Sequence, residues 1–225
     1  MRFADVEGAL REAGLAARGG FAPGPGDDVP DVAPGVAARA IVLVGNAGPE
    51  MWARFSQERR EESDPLDRWT ERVVTRLAAA LGAHALFPFQ RPYFPFQRWA
   101  RKAEACYPSP LGLLLHSEYG LWHGYRAALL FARALDLPEA ASRTPSACEK
   151  CADRPCLSVC PVGAFSGTSY DVGRCVAHLV ASPRGDCVLE GCRARRACPV
   201  GASFRYVPAQ AEFHMAAFIR NHAKA

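Results

Sequence analysis

The chain has 225 residues, 49% of them hydrophobic and 22% charged, and its 27 Lys and Arg against 23 Asp and Glu leave a net charge of +4. That is enough apolar material for a packed core, which excludes a disordered chain or a low-complexity scaffold, and the length suits one large domain or a medium domain with a small appendage. No apolar run reaches the roughly 18 residues that cross a bilayer, and the Met1-Arg2-Phe3-Ala4 start leads into no apolar segment of the kind that exports a chain. The expectation is a cytosolic protein with no membrane partner, where structural disulfides are disfavoured.

In chain order, residues 5–17 are predicted to form a short helix ended by Gly19-Gly20 and the loop from Pro23 to Asp28. Ala40-Ile41-Val42-Leu43-Val44 is a continuous apolar run with β-branched residues, as in a buried strand, stopping at Gly45-Asn46-Ala47-Gly48. The two glycines are compatible with a phosphate cradle or with an ordinary strand–helix turn; the Rossmann and P-loop patterns are both missing, which favours the turn. Pro49 suits the first turn of a helix reaching Glu62. Asp64-Pro65 opens a second helix, with Leu66, Trp69, Val73, Leu77 and Leu81 forming an apolar stripe. Residues 83–89 return as a short strand. Beyond the aromatic-proline stretch Pro92–Trp99, the apolar segments Leu111–His116 and Tyr125–Phe131 suggest two strands paired through a loop. Residues 138–145 read as a linker, 146–207 as a cysteine-rich module and 208–225 as a C-terminal helix with Phe213, Ala217 and Phe218 on one side. The fold class expected is α+β over 1–140, followed by that small module.

Nine cysteines are present, and eight of them, Cys148, Cys151, Cys156, Cys160, Cys175, Cys187, Cys192 and Cys198, lie between 148 and 198. In a reducing compartment such density points to metal-bound thiolates. The ninth, Cys106, is expected to be a small buried hydrophobe. The first group, Cys148-x2-Cys151-x4-Cys156-x3-Cys160-Pro161, has iron–sulfur spacing, in which the Cys-Pro cysteine of two-cluster proteins serves the other cluster. The second, Cys175-x11-Cys187-x4-Cys192-x5-Cys198-Pro199, is irregular but closes on the same Cys-Pro-Val-Gly-Ala. Together they predict two [4Fe–4S] clusters. By the crossed rule Cys148, Cys151, Cys156 and Cys198 hold one, and Cys160, Cys175, Cys187 and Cys192 the other; the irregular second half also leaves other pairings, or a single cluster, open. Zinc is the competing metal, but it favours paired Cys-x2-Cys knuckles and only one such pair occurs.

Residues 141–207 carry nine Lys and Arg against five Asp and Glu, the same +4 as the whole chain. Two oxidised clusters on eight thiolates contribute about −2 each, so the loaded protein is expected to be near neutral. Arg193, Arg195 and Arg196 are then expected to offset cluster charge, to steer an acidic redox partner, or to form a solvated face; nucleic acid is not an expected partner.

Outside the cysteines, the stretch from Leu115 to Arg126 sets His116, Tyr119, Trp122, His123 and Arg126 around Gly120. Such a mixture suits binding of something flat or anionic. For Tyr119 and Trp122 packing is the alternative, and for His116 and His123 a hydrogen-bonded structural role; Arg126 in an apolar strand needs a buried acceptor. Ser109 and Ser117 lack a nucleophile context.

With Pro155 directly before Cys156, the first cysteine motif resembles the dicluster ferredoxin subunits of bacterial oxidoreductases over about 60 residues. The stretch around Gly120 resembles the His-Pro-x-Phe-Gly-x-Trp-Phe-x-x-Arg-Gly run of CblC-type cobalamin-processing proteins. His116, Tyr119, Gly120, Trp122 and Arg126 match; Ser117, His123 and Ala127 depart from it. The Asp64-Pro65-Leu66-Asp67 segment is also similar, and the likeness spans roughly 38–138. That resemblance implies a flavin-reductase-like fold binding cobalamin, or a flavin, through His116, Tyr119, Trp122 and Arg126. Epoxyqueuosine reductases join a related domain to a two-cluster module, and the present order of parts resembles that combination, although neither their catalytic acid nor their tRNA-gripping module is matched. The function implied is iron–sulfur electron transfer from a redox donor protein to a corrinoid or flavin. A related reductase, or an interaction module with structural metal, is the alternative.

Overall fold

The computed structural model describes residues 1–139 and 145–223, which divide into two compact units. The first takes residues 1–105 and 123–139, the second residues 106–122 and 145–223. This partition differs from a boundary at 140, because 106–122 packs with the cysteine-rich segment. Of the expected 138–145 linker, residues 140–144 lie outside the described residues.

The first unit comprises α1 (Phe3–Glu12), β1 (Ala16–Phe21), β2 (Ala40–Ala47), α2 (Glu50–Glu58), α3 (Pro65–Leu81), β3 (His84–Leu86), α4 (Phe96–Ala103) and β6 (His123–Phe131). The strands form one antiparallel sheet in the order β1-β2-β6-β3. Ala40–Val44 of β2 and Ala127–Phe131 of β6 are wholly buried, which explains their uninterrupted apolar runs: these central strands have both faces covered. Helix α3 packs on β3 and β6, while α4 packs on β1 and β2. Trp69, Val73, Val74 and Ala78 of α3 face the core, and Leu77 and Leu81 are half-buried beside them.

Three sequence expectations change. The helix over 5–17 ends at Glu12, and the chain turns at Gly14 into β1. Strand β2 continues past Gly45 to Ala47, with an irregularity between Val44 and Gly45. The segments Leu111–His116 and Tyr125–Phe131 do not pair with each other. The first ends in β5 (Leu114–His116), which pairs with β4 (Cys106–Pro108) in the second unit, whereas β6 lies between β2 and β3. A long buried strand finds its partners at the sheet centre; a three-residue strand closed by a tight turn has no such reach.

Arg18 of β1, assigned from sequence to the end of a helix region, is fully buried. Its Nε and Nη2 donate to Glu104 Oε1 and Oε2 at 3.0 and 2.8 Å, and Nη1 donates to the Asn46 carbonyl at 2.7 Å. Nη2 also lies 3.2 Å from His123 Nδ1. The Tyr125 hydroxyl donates to Glu104 at 2.8 Å, and its ring centroid sits 5.0 Å from the guanidinium. The planar fork of arginine is suited to this, because several donors meet acceptors at once without leaving a buried charge exposed to apolar walls.

The loop between β1 and β2 is fastened at Asp27. Its carbonyl accepts from Trp99 Nε1 at 2.7 Å, and its carboxylate accepts from the Gly24 amide at 2.7 Å and from Lys102 Nζ. Burial opposes ionisation of Asp27, but the Lys102 and Gly24 hydrogen bonds outweigh it and hold the carboxyl below its ordinary value of 3.8.

Two predictions follow from these contacts. Arg18→Met leaves Glu104 buried without its cation and is expected to cost about 3–5 kcal/mol, whereas adding Glu104→Leu recovers much of that loss; urea unfolding of the two variants and the parent measures it. Asp27 has a depressed folded pKa, so its stabilisation is full above the ordinary carboxylate range and is lost as pH falls through the depressed value. The stability gap between parent and Asp27→Asn is therefore expected to close on acidification below about pH 4, as followed by thermal melting at stepped pH. A gap that widens on acidification contradicts it.

Candidate metal centres

The second unit adds to β4 and β5 the short helices α5 (Pro155–Ser158), α6 (Val172–Ala181), α7 (Asp186–Leu189) and α8 (Arg193–Arg196), a 3-10 turn at Ala202–Phe204, and α9 (Pro208–His222). Among the described residues the cysteines form no disulfide, and Cys106 is buried in β4. The other eight gather around two cavities.

The first cavity, about 410 Å³ including its open mouth, is lined by Cys148, Cys151, Cys156 and Cys198. Cys148 and Cys151 lie on a turn, and Cys156 follows the Pro155 that opens α5. Arg154 before that proline adopts a left-handed backbone (φ 37°), which swings the chain so that α5 starts at the cavity. Cys198 arrives from the far end of the segment, just beyond α8. Leu115, Pro155, Pro199 and Val200 supply much of the apolar wall. The second cavity, about 320 Å³, is lined by Cys160, Cys175 of α6, Cys187 of α7 and Cys192 at the start of α8. Phe165, His178, Leu179 and Met215 complete much of its lining. The sulfurs thus gather in the two groups that the crossed Cys-Pro rule pairs. Sequence reading missed His178 and Met215, and Met215 enters because α9 packs on α6 and α7.

Electrostatics of the thiols follows from this crowding. Burial pushes Cys156 and Cys198 up, and the neighbouring Cys148 and Cys151 push them further. Burial likewise raises Cys175, with Cys160 and Cys187 adding to it, and raises Cys192, with Cys187 and Cys175 adding. Thiols raised in this way ionise more readily beside a cation, and a tetra-thiolate donor set fits an iron–sulfur cluster or zinc.

The cysteines are also part of the core. Leu111, Leu115, Leu121 and Ala194 form a buried cluster against which Cys148, Cys156, Cys192 and Cys198 pack, and Leu179 and Val188 join Cys175 and Cys187 in a second. The α8 arginines are engaged within the unit. Arg193 donates to Asp186 at 2.7 Å; Arg196 pairs with Asp186 and Glu190 and donates to the Gly191 carbonyl at 3.1 Å. The Arg193 and Arg196 guanidiniums hold the Asp186 carboxyl down at about 2. Arg195 donates twice to the Leu121 carbonyl, at 2.6 and 3.1 Å, with its guanidinium 4.4 Å from the Trp122 ring centroid and 4.5 Å from that of Tyr206.

The four residues matched to the cobalamin motif fall in different units. His116, Tyr119 and Trp122 belong to the second. His116 Nδ1 accepts the amides of Glu118 and Tyr119 at 3.1 and 3.2 Å, which places its proton on Nε2, and its ring stacks on Tyr119 at 4.3 Å. Trp122 is buried edge-on to Tyr206. Arg126 lies in β6 of the first unit, 3.6 Å from Asp67 of α3, whose side chain is 34% exposed and so is not the fully buried acceptor expected from sequence. Burial raises the Asp67 carboxyl, and Arg126 offsets only part of that. Trp122 Nε1 and Arg126 Nε are buried with no acceptor among the described residues.

The 116–122 turn is seated on the Cys198-Pro199-Val200-Gly201 tail by direct backbone contact. Gly120 (φ 57°) has no room for a side chain, since a Cβ there would meet the Val200 carbonyl oxygen at 2.0 Å. At Gly201 (φ 70°) a Cβ would meet the Tyr119 carbonyl carbon at 2.3 Å. The Cys198 turn and the histidine–tyrosine turn are thus pressed together at two glycines.

No family description and no curated protein matches the sequence. Solved structures share the fold. The epoxyqueuosine reductase of Streptococcus thermophilus aligns at TM-score 0.53 and 13% identity, over 92% of this chain and 69% of its own. The C. elegans B12-trafficking protein CblC, a human MMACHC homologue, aligns at 0.53 and 15% identity, over 94% and 91%. An epoxyqueuosine reductase solved with an epoxyqueuosine-modified tRNA-Tyr stem loop aligns at 0.48 and 15% identity, over 91% and 66%. Among the described residues no helix is long and apolar enough to cross a membrane.

Gly120→Ala and Gly201→Ala are each expected to destabilise the protein by about 2–3 kcal/mol, lowering the melting temperature by roughly 5–10 °C. Gly8→Ala, in α1 with nothing within 4 Å of the added methyl, is the control and stabilises slightly. Parent-like melting of both glycine variants contradicts the close-contact account.

Proposed function

We propose that this chain is a two-cluster iron–sulfur electron-transfer protein, with a [4Fe–4S] cluster on Cys148, Cys151, Cys156 and Cys198 and another on Cys160, Cys175, Cys187 and Cys192. The observation that carries this reading is the separation of eight thiols into two groups of four, each around its own apolar cavity. Bound clusters of this kind supply one-electron transfer at potentials set by burial and by hydrogen bonds to sulfur. The chain's own part is to present the thiolates, exclude water with Leu115, Pro155 and Val200 on one side and Phe165, Leu179 and Met215 on the other, and direct donors at the sulfurs.

The fold shared with CblC and epoxyqueuosine reductase supports a corrinoid as the electron acceptor, with a flavin as the other occupant such a fold accommodates. His116, Tyr119, Trp122 and Arg126 are the residues we assign to it. Trp122 Nε1 in the second unit and Arg126 Nε in the first are each buried without an acceptor among the described residues, so each unit keeps a donor for a polar or anionic group. A redox protein is the expected electron donor.

Anaerobic preparation followed by iron, sulfide and zinc analysis tests the cluster reading. About eight irons and eight sulfides per chain are expected, falling to about four of each in Cys148→Ser/Cys151→Ser and in Cys175→Ser/Cys187→Ser. Zinc with no acid-labile sulfide ends this reading. Titration with cob(II)alamin is expected to change its spectrum and raise the melting temperature, less so in Trp122→Phe and Arg126→Met; neither change in the parent removes the corrinoid.

A further inference from the structure

The two four-cysteine sites differ in what faces their sulfurs. A short hairpin, residues 164–171, lies against the second site. It is closed by the Phe165–Tyr170 bridge and by the Asp171 amide donating to the Ala164 carbonyl at 2.8 Å. Its turn is tied by Ser166 Oγ, which accepts the Ser169 amide at 3.0 Å and lies 2.8 Å from Ser169 Oγ. The Tyr170 ring stacks on Phe165 at 4.5 Å and 11°, and Phe218 of α9 lies at 6.3 Å and 22°. Held this way, the hairpin places two donors on two sulfurs of one site: the Ala164 amide on Cys160 Sγ at 3.4 Å, and the Tyr170 hydroxyl on Cys175. The Ala194 and Arg195 amides add donors at Cys192. At the first site the Val200 amide is such a donor, at Cys198.

An added electron increases the negative charge on the sulfurs, so each donor pointed at them stabilises the reduced form more than the oxidised one. We propose that the 164–171 hairpin, through Tyr170 and Ala164, sets the Cys160/Cys175/Cys187/Cys192 site at the higher reduction potential of the two. It thereby makes that site the one that retains an added electron. The inference rests on the two-cluster reading above and goes beyond it by ranking the sites and naming Tyr170 as the positioning residue that ranks them. Electron and charge balance require nothing further: one electron enters from the redox donor, and no bond to carbon or sulfur is made or broken.

Tyr170→Phe tests this well, because it removes the hydroxyl and keeps the ring in its stack. Anaerobic redox titration of the loaded protein, followed by EPR, is expected to give two midpoints in the parent. In the variant the higher midpoint moves to more negative potential and the lower one stays. Movement of the lower midpoint alone, or of neither, overturns the proposal. Cys148→Ser/Cys151→Ser is expected to leave only the higher midpoint and Cys175→Ser/Cys187→Ser only the lower; the reverse assignment overturns the proposal even if Tyr170→Phe fails to load. Iron and sulfide assays on the same samples separate the two levels. A parent without labile sulfide defeats the cluster reading and this inference with it, whereas a fully loaded parent with the wrong midpoint pattern defeats the ranking alone.

Discussion

Four thiols around one apolar cavity form the constraint on which the second unit depends. Burial and neighbouring thiols disfavour the thiolate at Cys156, Cys175, Cys192 and Cys198. Since sulfur binds metal as thiolate, a cationic centre is what would offset that cost. The surrounding secondary structure is slight: α5, α7 and α8 are four residues each. Too little regular hydrogen bonding is present for these segments to hold their positions by propensity. They are held instead by packing in which the cysteines are themselves core residues, and by the backbone contact of Gly120 with Val200 and of Tyr119 with Gly201.

The first unit solves its polar problem internally. Arg18 is buried in a sheet whose central strands are apolar over Ala40–Val44 and Ala127–Phe131, and Glu104, Asn46, His123 and Tyr125 surround it. Its charge is matched by a carboxylate in fork geometry, which specifies how β1, β2 and β6 meet the end of α4. Arg126 of β6 is matched less completely: one ion pair to Asp67, at 3.6 Å, and a buried Nε with no partner among the described residues. The two arginines of one sheet thus differ in how fully their donors are satisfied.

Where the physics is local, the sequence was informative. The Asp64-Pro65 start marks the beginning of α3 correctly, because the proline removes a donor that a first turn does not need; sequence reading missed its left-handed Gly82 cap. The β2 and β6 apolar runs were visible as buried strands. The eight cysteines were visible through spacing and the repeated Cys-Pro-Val-Gly-Ala. Features set by distant partners were not legible. Arg18 lies in a segment whose alanines and leucines read as helix, and it is the backbone pairing of β1 with β2 that makes it strand, with Glu104, 86 residues away, accepting its guanidinium. The strand β4 has no pattern of its own and exists through β5. The 106–122 segment sits between two parts of the first unit in sequence, so only tertiary packing assigns it to the second. His178, Met215 and Tyr170 belong to no cysteine motif and reach the second site from α6, α9 and a hairpin.

Charge is where the two scales meet. The +4 of the chain is carried by residues 141–207, and sequence alone allowed those arginines to be a docking face. In the structure Arg193 and Arg196 converge on Asp186, and Arg195 is clamped between Trp122 and Tyr206 with its donors on Leu121. A docking face needs cations free to change partners, and these have partners already. Ion pairs do not cancel the surplus, however: Arg193 and Arg196 share Asp186, Arg196 also pairs with Glu190, and Arg195 is held by the Leu121 carbonyl and two rings. On the two-cluster proposal, that surplus acts in the same direction as the Ala164 amide and the Tyr170 hydroxyl, as compensation for sulfur charge.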